Sequence, residues 1–356
     1  MIGPVARVAA MAPYALADVD APGMTSLAQN ESAFGPSPLA LAAGVQALKD
    51  GALYPDPDWR DLRAAIAGVH DLSAERILCG AGSMELIGAL IRAYAGPGDT
   101  VLGTAHGYLF VATACSQAGA NYATVPEPGL RVDVDALLAG ITPATRIVFL
   151  CNPGNPTGTR IETAEILRLR AALPEGVILA IDQAYGEFDD QPPGPGFALV
   201  DQGNTVVLRT FSKAYALAGA RVGWGVAPTE IATQMRKLLN PNNVAAASQA
   251  MAAAAMRDQG HMHGIVVRTA AIRGEFCHAL TEAGFAIPES HTNFVLIPFA
   301  DAATADAADK ALRAGGFLVR GMGGYGLPHC LRATVGAAEA MRDVARIVAP
   351  FTKDIP

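Results

Sequence analysis

The strongest constraint on this chain is an alternation. Short apolar runs at 76–79, 100–102, 121–125, 147–150, 177–181, 206–208 and 222–226 read as buried strands, and helical patterns lie between most of them. Strands separated by helices need crossover connections, and right-handed crossovers put helices on both faces of a largely parallel sheet. The expected fold class is therefore α/β, with a three-layer α/β/α large domain. Its first helix is marked by Ser37 as a cap, Pro38 in the first turn and Gly51 as a stop. Past residue 258 the rhythm changes. A long helical stretch through 282 is followed by strands at 285–287 and 293–297, a helix, strands at 317–320 and 331–334, and a last helix. That order predicts a smaller α+β domain, so the expected division is an arm over 1–36, a large domain over 37–258 and a small domain over 259–356.

Composition narrows the function. With 51% hydrophobic and 17% charged residues, the 356-residue chain can bury enough apolar surface to offset its conformational entropy. A net charge of −7 without any block of like charges argues against a nucleic-acid partner. Five scattered cysteines, with no CxxC pair, suggest neither a disulfide framework nor a thiolate metal site, and a reducing cytoplasm fits them best. His261, His263 and His329 lack companions at ligand spacing, so no metal is expected. The apolar, Ala-rich stretch 244–256 falls short of the roughly 18 residues that span a bilayer, so no membrane partner is expected. Pro4 and Pro13 interrupt an apolar start already short for a signal peptide, and the first 36 residues read as an arm lying against one lobe or a neighbouring subunit.

The five lysines separate one from four. Lys49, Lys237, Lys310 and Lys353 fall at a helix end, on polar helical faces or in the tail, where solvation explains them. Lys213 follows the strand 206–208 at the carboxyl edge of the sheet, and the residues after it, 214–220, offer no carboxylate. A lone amine there has a lowered pKa, which is what a Schiff-base lysine needs.

Other strand ends supply the remaining parts of a carbonyl-cofactor site. Asp182 emerges from the wholly apolar run 177–181, with Tyr185 three residues on; a pyridinium nitrogen or a helix cap would each account for the carboxylate. Gly80-Ala81-Gly82-Ser83-Met84-Glu85 joins a strand to a helix and can aim N–H groups at a phosphate, but Glu85 breaks the dinucleotide fingerprint. Gly321 to Gly326 matches GxGxxG, yet no helix pattern follows, which leaves a glycine-rich loop and disfavours a dinucleotide oxidoreductase. The segment 152–158 reads, taken alone, as a turn-rich loop.

Together these segments resemble one family. Thr210-Phe211-Ser212-Lys213-Ala214-Tyr215, continuing through Arg221 to Gly223, is similar to the lysine signature of class I/II pyridoxal-phosphate aminotransferases. Asn155-Pro156-Thr157-Gly158 and Asp182-Gln183-Ala184-Tyr185 match two further signatures in the right order. Within the family the chain is most similar to the histidinol-phosphate subgroup, through 30–38, Tyr54-Pro55-Asp56 and 331–336.

The resemblance implies the fold type I architecture and pyridoxal 5′-phosphate (PLP) as cofactor. Lys213 would carry the cofactor and move a proton between Cα and C4′, Asp182 would keep the pyridine nitrogen protonated, and Asn155 and Tyr185 would bond its phenolate oxygen. Gly82, Ser83, Met84, Thr210 and Arg221 would hold the phosphate, with Tyr54 reaching in from the other subunit of a homodimer, and Tyr108 would stack on the ring. Asn30, within the segment 30–38, and Tyr54 belong also with the substrate-binding set, where Arg332 would take a substrate carboxylate and Arg320 and Tyr14 a substrate phosphate. Gln183, Met84 and Ala81 depart from the family's usual Glu, Asp and Asn. The expected activity is transfer of an amino group from histidinol phosphate to an acceptor such as 2-oxoglutarate. The same framework also serves aromatic aminotransferases and threonine-phosphate decarboxylases. A non-catalytic effector-sensing domain on this fold would carry a basic DNA-binding segment, which residues 1–36, with Arg7 as their one cation, are not expected to form.

Overall fold

The computed structural model describes residues 2–11, 23–189 and 196–352. Twelve strands are numbered in chain order: β1 (Thr25–Ser26), β2 (Ile77–Gly80), β3 (Thr100–Thr104), β4 (Asn121–Val125), β5 (Thr145–Cys151) and β6 (Ile178–Asp182). They continue with β7 (Thr205–Thr210), β8 (Gly223–Val226), β9 (Phe294–Pro298), β10 (Phe317–Leu318), β11 (Arg320–Gly321) and β12 (Cys330–Thr334). Seven build the main sheet in the order β2-β8-β7-β6-β5-β3-β4, where only β8 runs against the rest.

Period-two alternation splits the sheet's side chains between two cores. Ile178 and Ala180 of β6, with Val206 and Leu208 of β7, pack on the side of the helix Ser83–Tyr94. Leu179, Ile181 and Val207 pack on the side of the helix Thr163–Ala172. Burying both faces explains why these strands are apolar throughout. It also makes Asp182, one step beyond its apolar run, and Arg209 and Thr210, the two residues after theirs, the first polar groups at the upper ends of their strands.

After a single turn of helix at Ala6–Ala9, the first long helix runs over Pro38–Ala47, with the Ser37 hydroxyl accepting from the N–H groups of Leu39 and Ala40, as its cap chemistry dictates. The second sheet, β11-β12-β9, is antiparallel and has its own hydrophobic cluster with the helices Gln259–Glu282, Ala302–Ala314 and Ala338–Val348. Three expectations need correction. The run 121–125 is a strand but an edge strand, exposed along most of its length rather than buried. No strand forms at 285–287; Phe285, 2% exposed, plugs the second core from an irregular segment. The run 317–320 is two strands. Phe317–Leu318 pairs in parallel with Thr25–Ser26 of the arm, whereas Arg320–Gly321 pairs with β12. The arm is thereby tied to the second lobe, with Leu27 inside its core. No helix among the described residues is long and apolar enough to cross a membrane.

Candidate active site

A cavity of about 490 Å³ opens at the carboxyl ends of β5, β6 and β7, roofed by the arm and by β11 and β12. In open α/β sheets this edge is where ligands bind.

Lys213 sits in the turn after β7, half-buried, and its Nζ donates to the Gln29 carbonyl at 2.9 Å. Removal from water, then the Arg332 guanidinium, pulls its ammonium down to about 7; Glu31 opposes the shift and Arg221 adds to it. An amine so placed is substantially neutral near pH 7, as a nucleophile or base must be. Asp182, 5% exposed, accepts from the Ala184 N–H at 3.0 Å and lines the same cavity. Burial pushes it up to about 6, partly offset by that N–H. The residues after it form a turn and a 3₁₀ segment, Gly186–Phe188, so the carboxylate does not cap an α-helix. A buried carboxylate facing a cavity fits a protonated ring nitrogen.

Tyr185 stands edge-on to Phe294, and its hydroxyl accepts from Asn30 Nδ2 at 2.7 Å. Burial raises its pKa, so the phenol keeps its proton. Asn30 lines the cavity with positive φ and is braced by Thr334 Oγ1 at 2.9 Å, which makes it first a support for Tyr185. Arg332, on β12, donates to Asn155 Oδ1 at 2.5 Å and to the Ala28 carbonyl at 2.9 Å, with its guanidinium 5.2 Å from the Phe294 ring. The antiparallel register sets Arg320 directly opposite it, and both line the cavity. Two guanidiniums side by side suit a doubly anionic or a long acidic substrate.

An anion cradle lies at the other end. Gly82 caps the helix Ser83–Tyr94 with φ of +84°, and a Cβ there would stand 2.4 Å from Arg221 Nη2. Ser83 and Met84 open the helix toward the cavity, where N–H groups and the helix dipole favour negative charge. Glu85 is turned away: its carboxylate accepts from the Ala81 N–H at 2.6 Å and from Asn243 Nδ2 at 2.7 Å. Arg221 Nη1 donates to Ser212 Oγ at 3.4 Å, and Ser212 donates its N–H to Thr210 Oγ1 at 3.1 Å. Hydroxyls, a guanidinium and a helix N-terminus together form a phosphate-binding set. Tyr108 lines the cavity half-buried, in a loop joined to the second lobe by His106 Nδ1 and the Tyr325 carbonyl, 2.8 Å apart.

The structure thus brings together Lys213, Asp182, Tyr185, Asn30, Asn155, Thr210, Arg221, Ser83, Met84, Tyr108, Arg320 and Arg332, with Gly82 against Arg221. Tyr54 is 89% exposed and does not line this cavity within one chain. Tyr14 lies outside the described residues. Sequence reasoning missed Ser212, although it stands inside the quoted lysine signature, and Tyr325, which belongs to the set-aside glycine-rich loop. Gln29 acts through its carbonyl, for which a sequence carries no signal. Cys151 also lines the cavity, but burial, then the Asp182 charge, holds its thiol protonated, which removes it as a nucleophile. No group of three or more His, Cys, Asp and Glu side chains among the described residues could hold a metal.

Comparison with known proteins agrees with this geometry. Residues 22–349 match the family described as aminotransferase class I and II. The chain is 44% identical over 326 residues, 92% of its length and 90% of the relative's, to a histidinol-phosphate aminotransferase of Jannaschia sp. (strain CCS1). It is 45% identical over 91% of each chain to the protein of that name from Paramagnetospirillum magneticum. The crystal structure of histidinol-phosphate aminotransferase from Sinorhizobium meliloti in complex with pyridoxal-5′-phosphate superposes with a TM-score of 0.87 and 31% identity, covering 94% of this chain and 92% of that one. The cavity at the carboxyl edge of the α/β sheet is lined by both Lys213 and Asp182, and the chain that builds it belongs to the class I and II aminotransferases.

Proposed function

We propose that this chain is a PLP-dependent histidinol-phosphate aminotransferase that passes the amino group to a 2-oxo acid such as 2-oxoglutarate. The observation that carries the reading is Lys213 and Asp182 facing one cavity whose far end is an anion cradle. PLP bound there supplies an electron sink for the pair left when a substrate Cα–H bond breaks. Lys213 would be the group that takes the Cα proton and delivers it to C4′, its amine held down to about 7. Asp182 holds the proton on the ring nitrogen, and Tyr185 and Asn155 hold the ring oxygen. Gly82, Ser83, Met84, Thr210, Ser212 and Arg221 grip the phosphate, and Tyr108 covers the ring.

Arg332 binds a substrate carboxylate, and Arg320 beside it accommodates the extra negative charge of a phosphorylated donor. The pairing suits the dianionic phosphate of histidinol phosphate as well as the two carboxylates of 2-oxoglutarate, which take turns in one site. The large domain over 37–258 and the small domain over 259–356 contribute opposite walls. The helix Pro38–Ala47 and the segment after it expose Leu39, Val45, Leu48, Leu53 and Tyr54, an apolar stretch that a second copy would cover while bringing Tyr54 to the neighbouring phosphate. The test is a set of half-reactions on the loaded protein, with histidinol phosphate, phenylalanine, tyrosine and glutamate supplied separately and the visible spectrum followed. Rapid conversion by histidinol phosphate and glutamate is expected. Conversion by the aromatic amino acids alone would move the protein to aromatic transamination.

A further inference from the structure

We propose that Arg209 is a positioning residue: from the face of the sheet opposite the cavity it grips Gln183 and Glu187, and so fixes Asp182 and Tyr185 relative to one another. The inference rests on the reading that the site takes PLP, because the bound cofactor reports it.

Alternation carries the argument. Along β7, Thr210 turns into the cavity and Arg209 to the other side, and Asp182, the last residue of β6, and Gln183 after it diverge in the same way. Arg209 Nη1 donates to Gln183 Oε1 at 3.1 Å, while Nη2 and Nε both donate to Glu187 Oε1, at 2.9 and 3.3 Å. The clamp therefore holds the chain on both sides of Tyr185. Between the two acceptors, Gly186 packs so closely that a Cβ there would stand 2.8 Å from Nη1. The guanidinium is itself fixed, 5.7 Å from the Phe197 ring and 6.0 Å from the Trp224 ring, and the Arg209 and Glu187 side chains are 7% and 3% exposed. Within the turn the Gly186 N–H donates to the Gln183 carbonyl at 2.9 Å and the Phe188 N–H to the Tyr185 carbonyl at 3.0 Å, so the clamp acts on a short backbone-bonded unit.

A buried ion pair is poorly explained by stability, since apolar replacements of similar volume often fold as well. What a forked guanidinium offers is direction. Gln183 fits this role. The family's usual Glu would set two carboxylates against one guanidinium, whereas the amide supplies an acceptor and leaves Arg209 and Glu187 a neutral pair.

The test uses full-length protein loaded with PLP, and the same protein without cofactor as control. Visible absorbance in the wild type that disappears in Lys213→Ala supports the PLP reading. A wild type that takes up no cofactor overturns that reading; the outcomes below concern Arg209 alone. Arg209→Lys keeps the charge but cannot span both acceptors, and Glu187→Gln keeps the shape and drops the charge. In both, withdrawal of the Tyr185 hydroxyl from the ring oxygen is expected to raise the pH midpoint of the cofactor's colour change by ~0.5 or more. The kcat is expected to fall about tenfold, with KM for glutamate within about twofold because Arg332 is untouched. A variant whose cofactor-free form melts lower but whose colour midpoint and kcat match the wild type has lost packing only, and overturns the proposal. If Glu187→Gln fails to fold, the double variant Gln183→Glu/Glu187→Gln returns a carboxylate to Arg209 from the other side. It is expected to fold and still to show the raised midpoint, and a wild-type midpoint there overturns the proposal.

Discussion

At the scale of single residues the site is a set of groups held in costly states, and cost has a measurable sign. Lys213 titrates near 7 in the folded protein against 10.5 for an ordinary lysine, so between those values the unfolded chain binds more protons and stability rises with pH. Replacing it by Met in the cofactor-free protein is expected to raise the melting temperature. The gap to wild type should be widest below about pH 7 and close toward pH 10.5; a gap independent of pH would show that Lys213 folds with an ordinary pKa. Asp182 runs the other way. Its pKa is raised to about 6 from 3.8, so the wild type loses stability as pH rises through that interval. Asp182→Asn should therefore stabilise the cofactor-free protein at pH 7 while lowering kcat by about 10² or more, a trade of stability for function. Calorimetry and steady-state kinetics on the same preparation check both halves, and a less stable Asp182→Asn would contradict the burial argument. Both residues were legible in the sequence because each is a polar group following an apolar strand. Gln29 was not, since its contribution to Lys213 is a carbonyl that every residue has.

At the scale of elements, the strands buried on both faces declared themselves through continuous apolar runs, and all seven of the main sheet were found with small shifts at their ends. The failures have a common cause. Edge exposure at 121–125, the missing strand at 285–287 and the split of 317–320 all depend on which partner lies alongside, and partners are tertiary facts. The pairing of Thr25–Ser26 with Phe317–Leu318 spans almost the whole chain and leaves no local trace. The glycine-rich turn before the helix Ser83–Tyr94 is the opposite case, where sequence and geometry say the same thing. Gly82 needs positive φ and leaves no room for a Cβ beside Arg221. Gly82→Ala is expected to push the guanidinium from the cradle and weaken PLP binding about tenfold or more, measured by titrating the cofactor-free protein. Unchanged affinity would place the phosphate elsewhere.

At the scale of the molecule, the question is whether one chain makes a whole site. The cavity is walled by both lobes and the arm, yet Tyr54, which the family resemblance assigns to the phosphate, stands 89% exposed beside an apolar helix face. A twofold dimer resolves both facts if each Tyr54 serves the other chain's Lys213. Complementation decides this. Mixing Lys213→Ala with Tyr54→Ala after unfolding and refolding together yields heterodimers in which one site carries both substitutions and the other carries neither. If Tyr54 acts across the interface, activity is expected to return to about a quarter of wild type at equal mixing, because half the dimers are mixed and each has one intact site. If Tyr54 serves its own chain, every site in the mixture keeps one defect, and mixing gives no more than the average of the two separate variants. Light scattering on the same samples shows whether the dimer exists, so an absent dimer and a cis-acting tyrosine give different results.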